Sequence, residues 1–215
     1  MRPITVALGP LAAAAANNIC LTQTPTAAFT LNGALVVGGI AILDVPRRVL
    51  VTTTGNESAK TITIIGTDVN GNTQTELMTG PNITTGQTNL DFKTVTSISI
   101  SSAAAAALTV GTSGVASSAW IRTDEWALAS ASIQCTASGT VNYTVQGTDQ
   151  DPNSPTNPIA AYLVTWVNSS DAAAVAAAGT IITNYTNVPT FVKVTLNSGT
   201  GSVSSTLVQY GVAPY

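Results

Sequence analysis

The two halves of this chain contain the same short blocks in the same order. Residues 61–68 and 141–149 are Thr- and Val/Ile-rich segments that both end in Gly-Thr-Asp. Residues 92–98 and 191–197 then both start with Phe and are followed by a run of small residues and a segment that begins with Leu. The two blocks are further apart in the second half. A repeat of this kind predicts two β-modules in tandem.

Composition agrees with a β protein that carries few charges. Only 8% of the 215 residues are charged, against roughly 25% in ordinary soluble domains, while 45% are hydrophobic. Ser, Thr, Asn and Gln alternate with Val and Ile, as half-solvated strands require. We therefore predict an all-β fold of two tandem antiparallel β-sandwich modules with an extended N-terminal arm. The predicted domains are the arm with the first strands at 1–45, a first module at 46–115 and a second at 116–215.

The N-terminal 45 residues are rich in Ala, Thr and Gly and lack the strand-and-turn rhythm that follows. We expect strands at 27–29 and 35–43, and an arm that makes the main contact with other subunits or with a shell. Prolines 3 and 10 interrupt the first apolar stretch, which argues against a signal peptide. Glycines and Asn32 break the apolar stretch at 31–43, so we expect no membrane span.

Turn and cap residues locate further elements. Asn70-Gly71 between alternating runs predicts a hairpin with a type I′ turn, and Ser138-Gly139 predicts a second paired turn. Residues 112–119 are small enough to form the module boundary. In the second half we expect a strand at 162–167 and a short helix at 171–179, which starts with Asp and ends with Gly.

The composition excludes several kinds of function. The net charge is −3 and the seven Lys and Arg are scattered, so a nucleic-acid surface is not expected. The chain contains no His, which excludes His-ligated metals, a Ser-His-Asp triad and a Cys-His pair. We therefore predict no enzyme, and assign no catalytic, cofactor-binding or metal-binding residue and no cofactor. The one basic doublet, Arg47-Arg48, fits either an exposed strand start after Pro46 or a functional ion-pairing or docking role.

Two thiols and two turns leave alternatives open. Cys20 and Cys135 stand one per half, either as free buried thiols or as a bridge between modules. The Gly-Thr-Asp turns offer oxygen ligands for calcium, but their spacing departs from an EF-hand and ordinary turn chemistry explains them equally. The turn residues are Asp68, Asn70 and Asn72 in the first half and Asp149, Asp151 and Asn153 in the second.

Aromatic residues gather in the second half. They serve either as core packing or as a platform for carbohydrate. Asp124-Glu125 could pass for a glycosidase pair, but adjacent strand residues point to opposite faces, so we expect a solvated rim. The aromatic residues are Trp120, Trp126, Trp166, Tyr143 and Tyr162.

A family resemblance covers most of residues 44–211. Residues 44–49 (Asp-Val-Pro-Arg-Arg-Val), the stretch 61–76 and Thr79-Gly80-Pro81 resemble a module of virion structural proteins of tailed bacteriophages. Residues 138–152 and 198–209 are similar to a second module that is common in the same setting. The arm and the Ala-rich segment at 171–179 fall outside this resemblance.

The resemblance implies a non-enzymatic β-sandwich protein of the phage particle. The function that we expect is decoration or cementing of the capsid shell by a late protein, assembled in the bacterial host cytoplasm and located on the capsid surface of the virion. Its partners would be the major capsid protein and further copies of itself. A closed homo-oligomer would cover unpaired sheet edges, and a trimer would match the local threefold axes of a capsid. The alternative is a tail- or fibre-associated module that contacts host-surface glycan.

Overall fold

The computed structural model describes residues 3–124 and 130–210, and nearly all regular structure in them is β. Every strand pairing is antiparallel. This confirms the all-β class. The strands are β1 Ile4–Leu8, β2 Ala15–Gln23, β3 Val36–Val37, β4 Ile40–Arg47, β5 Val49–Thr53, β6 Thr61–Thr67, β7 Thr73–Thr79, β8 Thr85–Gln87, β9 Phe92–Ile100, β10 Leu108–Thr112, β11 Ala116–Ser117, β12 Ile121–Arg122, β13 Ser130–Ser138, β14 Val141–Thr148, β15 Val167–Asn168, β16 Ile181–Tyr185, β17 Phe191–Gly199 and β18 Ser202–Tyr210.

The chain divides into two compact units. Module 1 is Ala12–Gly114, and module 2 combines Met1–Leu11 with Val115–Tyr215. The boundary at 114/115 lies within one residue of the predicted one. The N-terminal boundary differs, because β1 pairs with β18 near the other end of the chain. Module 1 is therefore inserted, in sequence, between the first strand of module 2 and the rest of it.

Each module contains two antiparallel sheets. In module 1, sheet I has the order β2-β10-β5-β8 and sheet II the order β3-β4-β9-β6-β7. In module 2, sheet III has the order β1-β18-β13-β16, and sheet IV has the order β11-β17-β14-β15 with β12 also paired to β17. Two sheets with alternating buried residues are the arrangement of a β-sandwich.

The two modules have the same topology. Sheets I and III correspond strand by strand, with the orders β2-β10-β5-β8 and β1-β18-β13-β16. Sheets II and IV correspond in the same way, with the orders β4-β9-β6-β7 and β12-β17-β14-β15. The counterparts also follow one another in the same order along the chain, and only β3 and β11 have none. The repeated sequence blocks become β6 and β14, and β9 and β17, at matching places.

Alternation along the strands explains which side chains form each core. In module 1, Ile62 and Ile64 of β6 lie opposite Ile100 and Ile98 of β9, and all four are buried. In module 2, the buried pairs Tyr143–Leu196 and Val145–Val194 take the same positions between β14 and β17. Residues next to them in sequence point to the opposite face of the sheet, because side chains alternate along a strand.

The repeated glycines have a steric reason. A Cβ at Gly66 would lie 1.9 Å from the carbonyl oxygen of Thr94 and 2.9 Å from Cδ1 of Phe92. A Cβ at Gly147 would lie 2.7 Å from Cγ of Pro189, just before the matching Phe191. Glycine therefore fits both positions, because each lies close to backbone or ring atoms at or just before the start of the neighbouring strand.

The N-terminal region differs from the predicted arm. Residues 4–8 and 15–23 are paired strands of different modules, and Ile19 and Cys20 are fully buried. Apolar and small residues alternate in β1, but Ile19 and Cys20 are adjacent in β2 and both are buried, so β2 lacks the simple alternation that predicts a strand. The expected strand at 27–29 is reduced to a single bridge from Ala28 to Ser99.

Two predicted turns also differ. The β6–β7 hairpin forms, but its loop spans residues 68–72 and only Gly71 has a positive φ, so the turn is not type I′. The Asp68 side chain closes this loop by accepting bonds from the amides of Asn70 and Asn72. Residues 139 and 140 connect β13 to β14, which belong to different sheets rather than to one hairpin.

The predicted helix at 171–179 is only a 3-10 turn at Ala172–Ala174, capped by Asp171 as expected. It stops because Ala176 adopts a φ of 53° and Ala177 forms a backbone bridge with Tyr143. The predicted strand at 162–167 was also wrong: a 3-10 turn occupies Ala161–Leu163 and β15 begins only at Val167.

Candidate interaction surfaces

The outward face of β6 and β7 carries no charge. Eight side chains share this face, as their register pairs show, and all are exposed or half-buried. Six are threonines, whose β-branched side chains suit a strand and whose hydroxyls keep the face hydrated. We call this surface the threonine face; its residues are Thr61, Thr63, Ile65 and Thr67 of β6 and Thr73, Thr75, Leu77 and Thr79 of β7.

An exposed aliphatic hairpin continues the threonine face at the other side of sheet II. Ile42 of β4 lies opposite Thr94, which lies opposite Thr67, so one row of side chains crosses the sheet. The hydroxyls of Thr67 and Thr94 are 2.8 Å apart. Ile42 is 47% exposed and Val37 of β3 is 69% exposed. Contiguous exposed apolar groups beside an uncharged face are typical of an interaction site.

The corresponding face of sheet IV in module 2 is covered. Ser117, Thr195, Gln146 and Asn168 form a row across four strands, joined by hydrogen bonds of 3.1, 2.9 and 2.9 Å. Ser117 and Thr195 are buried although they point away from the sandwich core. The side chains of this face therefore bond to one another and are largely withdrawn from solvent.

An aromatic and cationic group lies on the same side of sheet IV; we call it the aromatic cluster. Trp120 packs edge-on against Trp166, with ring centroids 4.9 Å apart, and against Phe191 at 5.8 Å. The Nζ of buried Lys193 lies 4.2 Å from the centroid of Trp166, and the Arg122 guanidinium lies 5.7 Å from that of Phe191. Both cations contact aromatic rings at cation–π distances.

The aromatic residues of the second half do not form one group in the structure. Tyr143 is in the sandwich core and donates a 2.6 Å hydrogen bond to the carbonyl of Gly179. Trp120 and Trp166 are half-buried in the aromatic cluster, so they combine packing with a partly accessible surface. Trp126 and Glu125 lie outside the described residues. The amide of Asp124 donates to Oε1 of Gln209, 2.7 Å away.

The Asp/Asn turns use their oxygens for local hydrogen bonds. Asp68 accepts three bonds from Asn70 and Asn72, at 2.8 to 3.0 Å. In the second turn, Asp149 accepts from the amide of Thr190, and Asp151 from the amide of Asn153 and from Arg122. In the described part of the chain, no three His, Cys, Asp or Glu side chains converge as they would around a metal ion.

Module 1 buries two carboxylates, and each fixes a loop. Glu57 accepts bonds from the Lys60 ammonium at 2.6 Å and from the amides of Ala105 and Ala106. Burial alone raises the pKa of Glu57, but these bonds outweigh it and hold the pKa below its ordinary value. Glu76 accepts bonds from two amides, and here burial prevails and raises the pKa.

Arg47 is buried, contrary to the exposed position predicted for the basic doublet. Its Nε donates to the carbonyl of Ser113 at 2.8 Å, its Nη2 makes a second bond there, and its Nη1 reaches the Asp44 carboxylate at 3.1 Å. Residues 47 and 76 both stand at inward-facing positions of their strands, and this alternation is the sequence signal for their burial. A charged side chain by itself suggests exposure.

Both cysteines are free and buried. Burial raises the pKa of the Cys20 thiol to about 12. Burial also raises the pKa of Cys135, although bonds from Ser205 and Tyr143 oppose the shift. Since the thiolate is the reactive form, both thiols are unreactive in the folded protein.

Comparison of the chain with protein-family models, with curated proteins and with solved structures finds no match. Among the described residues, no helix has the length and apolarity to cross a membrane. Topology and surface therefore define the protein as an all-β protein of two antiparallel modules. The surfaces described above suit binding to another macromolecule.

Proposed function

We propose that this protein is a non-enzymatic structural protein of a bacteriophage particle that decorates and stabilises the capsid shell. The observation that carries the proposal is the uncharged, exposed threonine face with its aliphatic hairpin. The resemblance of residues 44–211 to phage virion modules supplies the setting. The partners are the major capsid protein and further copies of the chain, and the location is the capsid surface of the virion after assembly in the host cytoplasm.

The chemistry of the threonine face suits a permanent contact. Charged side chains must lose their hydration when a protein interface forms, and this desolvation is costly unless each charge is paired. Threonine methyls and the Ile42 and Leu77 side chains can be buried without that cost, and the hydroxyls can bond to a partner or to bridging water. Such a surface binds largely independently of salt, which benefits a particle that leaves its host cell.

Electron cryo-microscopy of purified particles that contain this chain tests the proposal. We expect density for both modules repeated over the whole capsid lattice. A particle assembled with Ile42→Glu should lose this density, because a buried unpaired carboxylate opposes docking. Ile182→Glu, at an exposed strand position of module 2, is the matched control. Density restricted to the tail would refute capsid decoration.

The aromatic cluster favours a second candidate, a tail- or fibre-associated module that contacts host-surface glycan. Half-buried Trp120 and Trp166 stand next to Arg122, which pairs with Asp151 at 3.3 Å, and sugars bind to aromatic faces flanked by such polar groups. Glycan binding by the purified protein that is lost in Trp166→Ala would support this candidate. Unchanged binding in that variant would exclude the cluster as the glycan site.

A further inference from the structure

Most sheet edges in the described chain are short or covered. β3, β8 and β15 have two or three residues each. The long edge strand β2 is covered, since the carbonyls of Asn18 and Ile19 accept hydrogen bonds from amides of residues 32–35, and two register shifts interrupt its pairing with β10. Short, irregular or covered edges are the usual protection against pairing with another chain.

Strand β7 lacks these protections. It has seven residues in continuous register with β6, contains no Pro, Lys or Arg, and is the outermost strand of sheet II. Its outward side chains Thr73, Thr75, Leu77 and Thr79 are exposed. Glu76, its only charge, points inward and is bound by the amides of Asn89 and Leu90. The edges β1 and β16 are shorter, with five residues each.

We propose that the free edge of β7 pairs with β7 of a second copy of this chain. The two strands run antiparallel about a twofold axis and join two sheets II into one continuous sheet of ten strands. Main-chain hydrogen bonds supply the attraction, as in other cases of strand addition to a sheet edge. A twofold contact pairs the same edge with itself, so an edge that carried charges of one sign would repel its copy, whereas this edge presents only Thr and Leu outward.

The face alternation selects a register. Side chains of directly opposite residues lie on the same face of a sheet. The two threonine faces therefore stay on one side only if one residue of β7 lies directly opposite the same residue of the second copy, with the twofold axis between them. An axis at Glu76 would place the Cβ atoms of two glutamates about 5 Å apart, and like charges directly opposite each other are destabilising. An axis at Leu77 places Leu77 against Leu77 of the second copy and Glu76 against Met78 of that copy. The structure assigns this second register.

The contact extends the threonine face across both copies. Residues 75–79 of the two copies overlap in this register, so five residues at about 3.4 Å each give a contact roughly 17 Å long, and the two threonine faces become one surface on the joined sheet. The assembly is a dimer, in place of the trimer that the phage resemblance favours. This inference concerns the protein in solution and does not depend on capsid binding.

Analytical ultracentrifugation of the full chain tests the pairing. We expect a monomer–dimer equilibrium for the natural sequence, and a dissociation constant at least about tenfold higher for Leu77→Lys, because lysine on an edge opposes strand pairing. Ile182→Lys, on edge strand β16, is the matched control and should leave the equilibrium unchanged. Circular dichroism verifies that each variant is folded. A monomer or a trimer for the natural sequence, or an equal effect of both lysines, would overturn the proposal.

Oxidative cross-linking tests the register independently. The natural thiols are buried, so Leu77→Cys introduces an accessible thiol at the proposed axis. Mild oxidation of the folded protein should give a disulfide-linked dimer. Thr63→Cys, one strand further from the edge on the same face, should not. Failure of Leu77→Cys to cross-link, or equal cross-linking of both variants, would contradict the proposed pairing.

Discussion

Modules 1 and 2 have one topology but treat the same sheet face in opposite ways. The threonine face of sheet II is open and uncharged, whereas the corresponding face of sheet IV is covered by hydrogen-bonded side chains and the aromatic cluster. The edges differ too, since β7 has seven residues and its counterpart β15 has two. A shared topology therefore does not imply a shared surface.

The connections between strands account for the difference. β6 and β7 are joined by residues 68–72, which form a tight loop held by Asp68. Their counterparts β14 and β15 are joined by residues 149–166, which end in Trp166 and bring it against Trp120. The extra residues in the second half thus lie where they shorten the edge strand and contribute to the cover of the sheet. Module 1 lacks such an insertion, so its face and edge remain available.

The largest expected effect on stability concerns the β5–β6 connection of module 1. The corresponding β13–β14 connection of module 2 is a turn of only two residues. Glu57→Ala removes a buried carboxylate that bonds Lys60, Ala105 and Ala106. Breaking a buried charged pair should lower the free energy of unfolding by about 3–5 kcal/mol. Urea denaturation measures the loss. The control Ser58→Ala, at an exposed position of the same loop, should cost less than about 0.5 kcal/mol.

The repeated glycines should differ in their tolerance of a methyl group. Gly66→Ala forces Cβ against the backbone oxygen of Thr94 and should cost about 3 kcal/mol. Gly147→Ala brings Cβ too close to the Pro189 ring but leaves it in ordinary contact with the carbonyl oxygen of Phe191, so it should cost about 1 kcal/mol. Both values come from urea denaturation of the single variants. Equal losses of unfolding free energy in the two variants would contradict the difference in close contacts at Gly66 and Gly147.

The two buried carboxylates predict opposite pH dependences. The lowered pKa of Glu57 adds stability that is present above the unfolded pKa, near 4.5, and lost as pH falls through the folded value. The raised pKa of Glu76 adds stability that is present below the unfolded pKa and lost as pH rises through the folded value. Between pH 3.5 and 7, stability should rise less with pH in Glu57→Gln than in the natural protein, and more in Glu76→Gln. Parallel curves for the two variants would contradict these assignments.

The smallest expected effect on stability concerns the aromatic cluster that covers sheet IV of module 2. Trp166→Phe keeps a ring but weakens the contacts with Trp120 and Lys193, and should cost about 1 kcal/mol. Labelling of Cys135 in module 2 should become faster in this variant, while labelling of Cys20 in module 1 should not. An equal change at both thiols would mean that Trp166 acts beyond its own module.

The sequence predicted those features that depend on local pattern. Alternating Val/Ile and Thr identified β6, β9, β14 and β17, and the repeat blocks fell on counterpart strands. The pairing of Ile4–Leu8 with β18 could not be predicted, because nothing local in a five-residue strand specifies a partner near the other end of the chain. The 3-10 turn at Ala172–Ala174 was overestimated as a helix because the bridge between Ala177 and Tyr143 is a tertiary contact.

The candidate surfaces were less predictable than the strands. Low charge and abundant threonine indicated a surface that associates with other molecules, but composition does not show which face stays open. Thr63 and Thr144 occupy counterpart positions and have the same side chain, yet only Thr144 is buried, since the Ala176 amide and Asn197 bond to its hydroxyl. That difference arises from residues distant in sequence.

The contrast between an open and a covered sheet face is tested most directly by thiol labelling of Thr63→Cys and Thr144→Cys in the folded protein. The account predicts that the thiol at 63 reacts at least about tenfold faster than the thiol at 144, because burial both shields a thiol and raises its pKa. Labelling in urea, where both should react alike, provides the control. Equal rates in the folded protein would contradict the claim that module 1 alone leaves this face open.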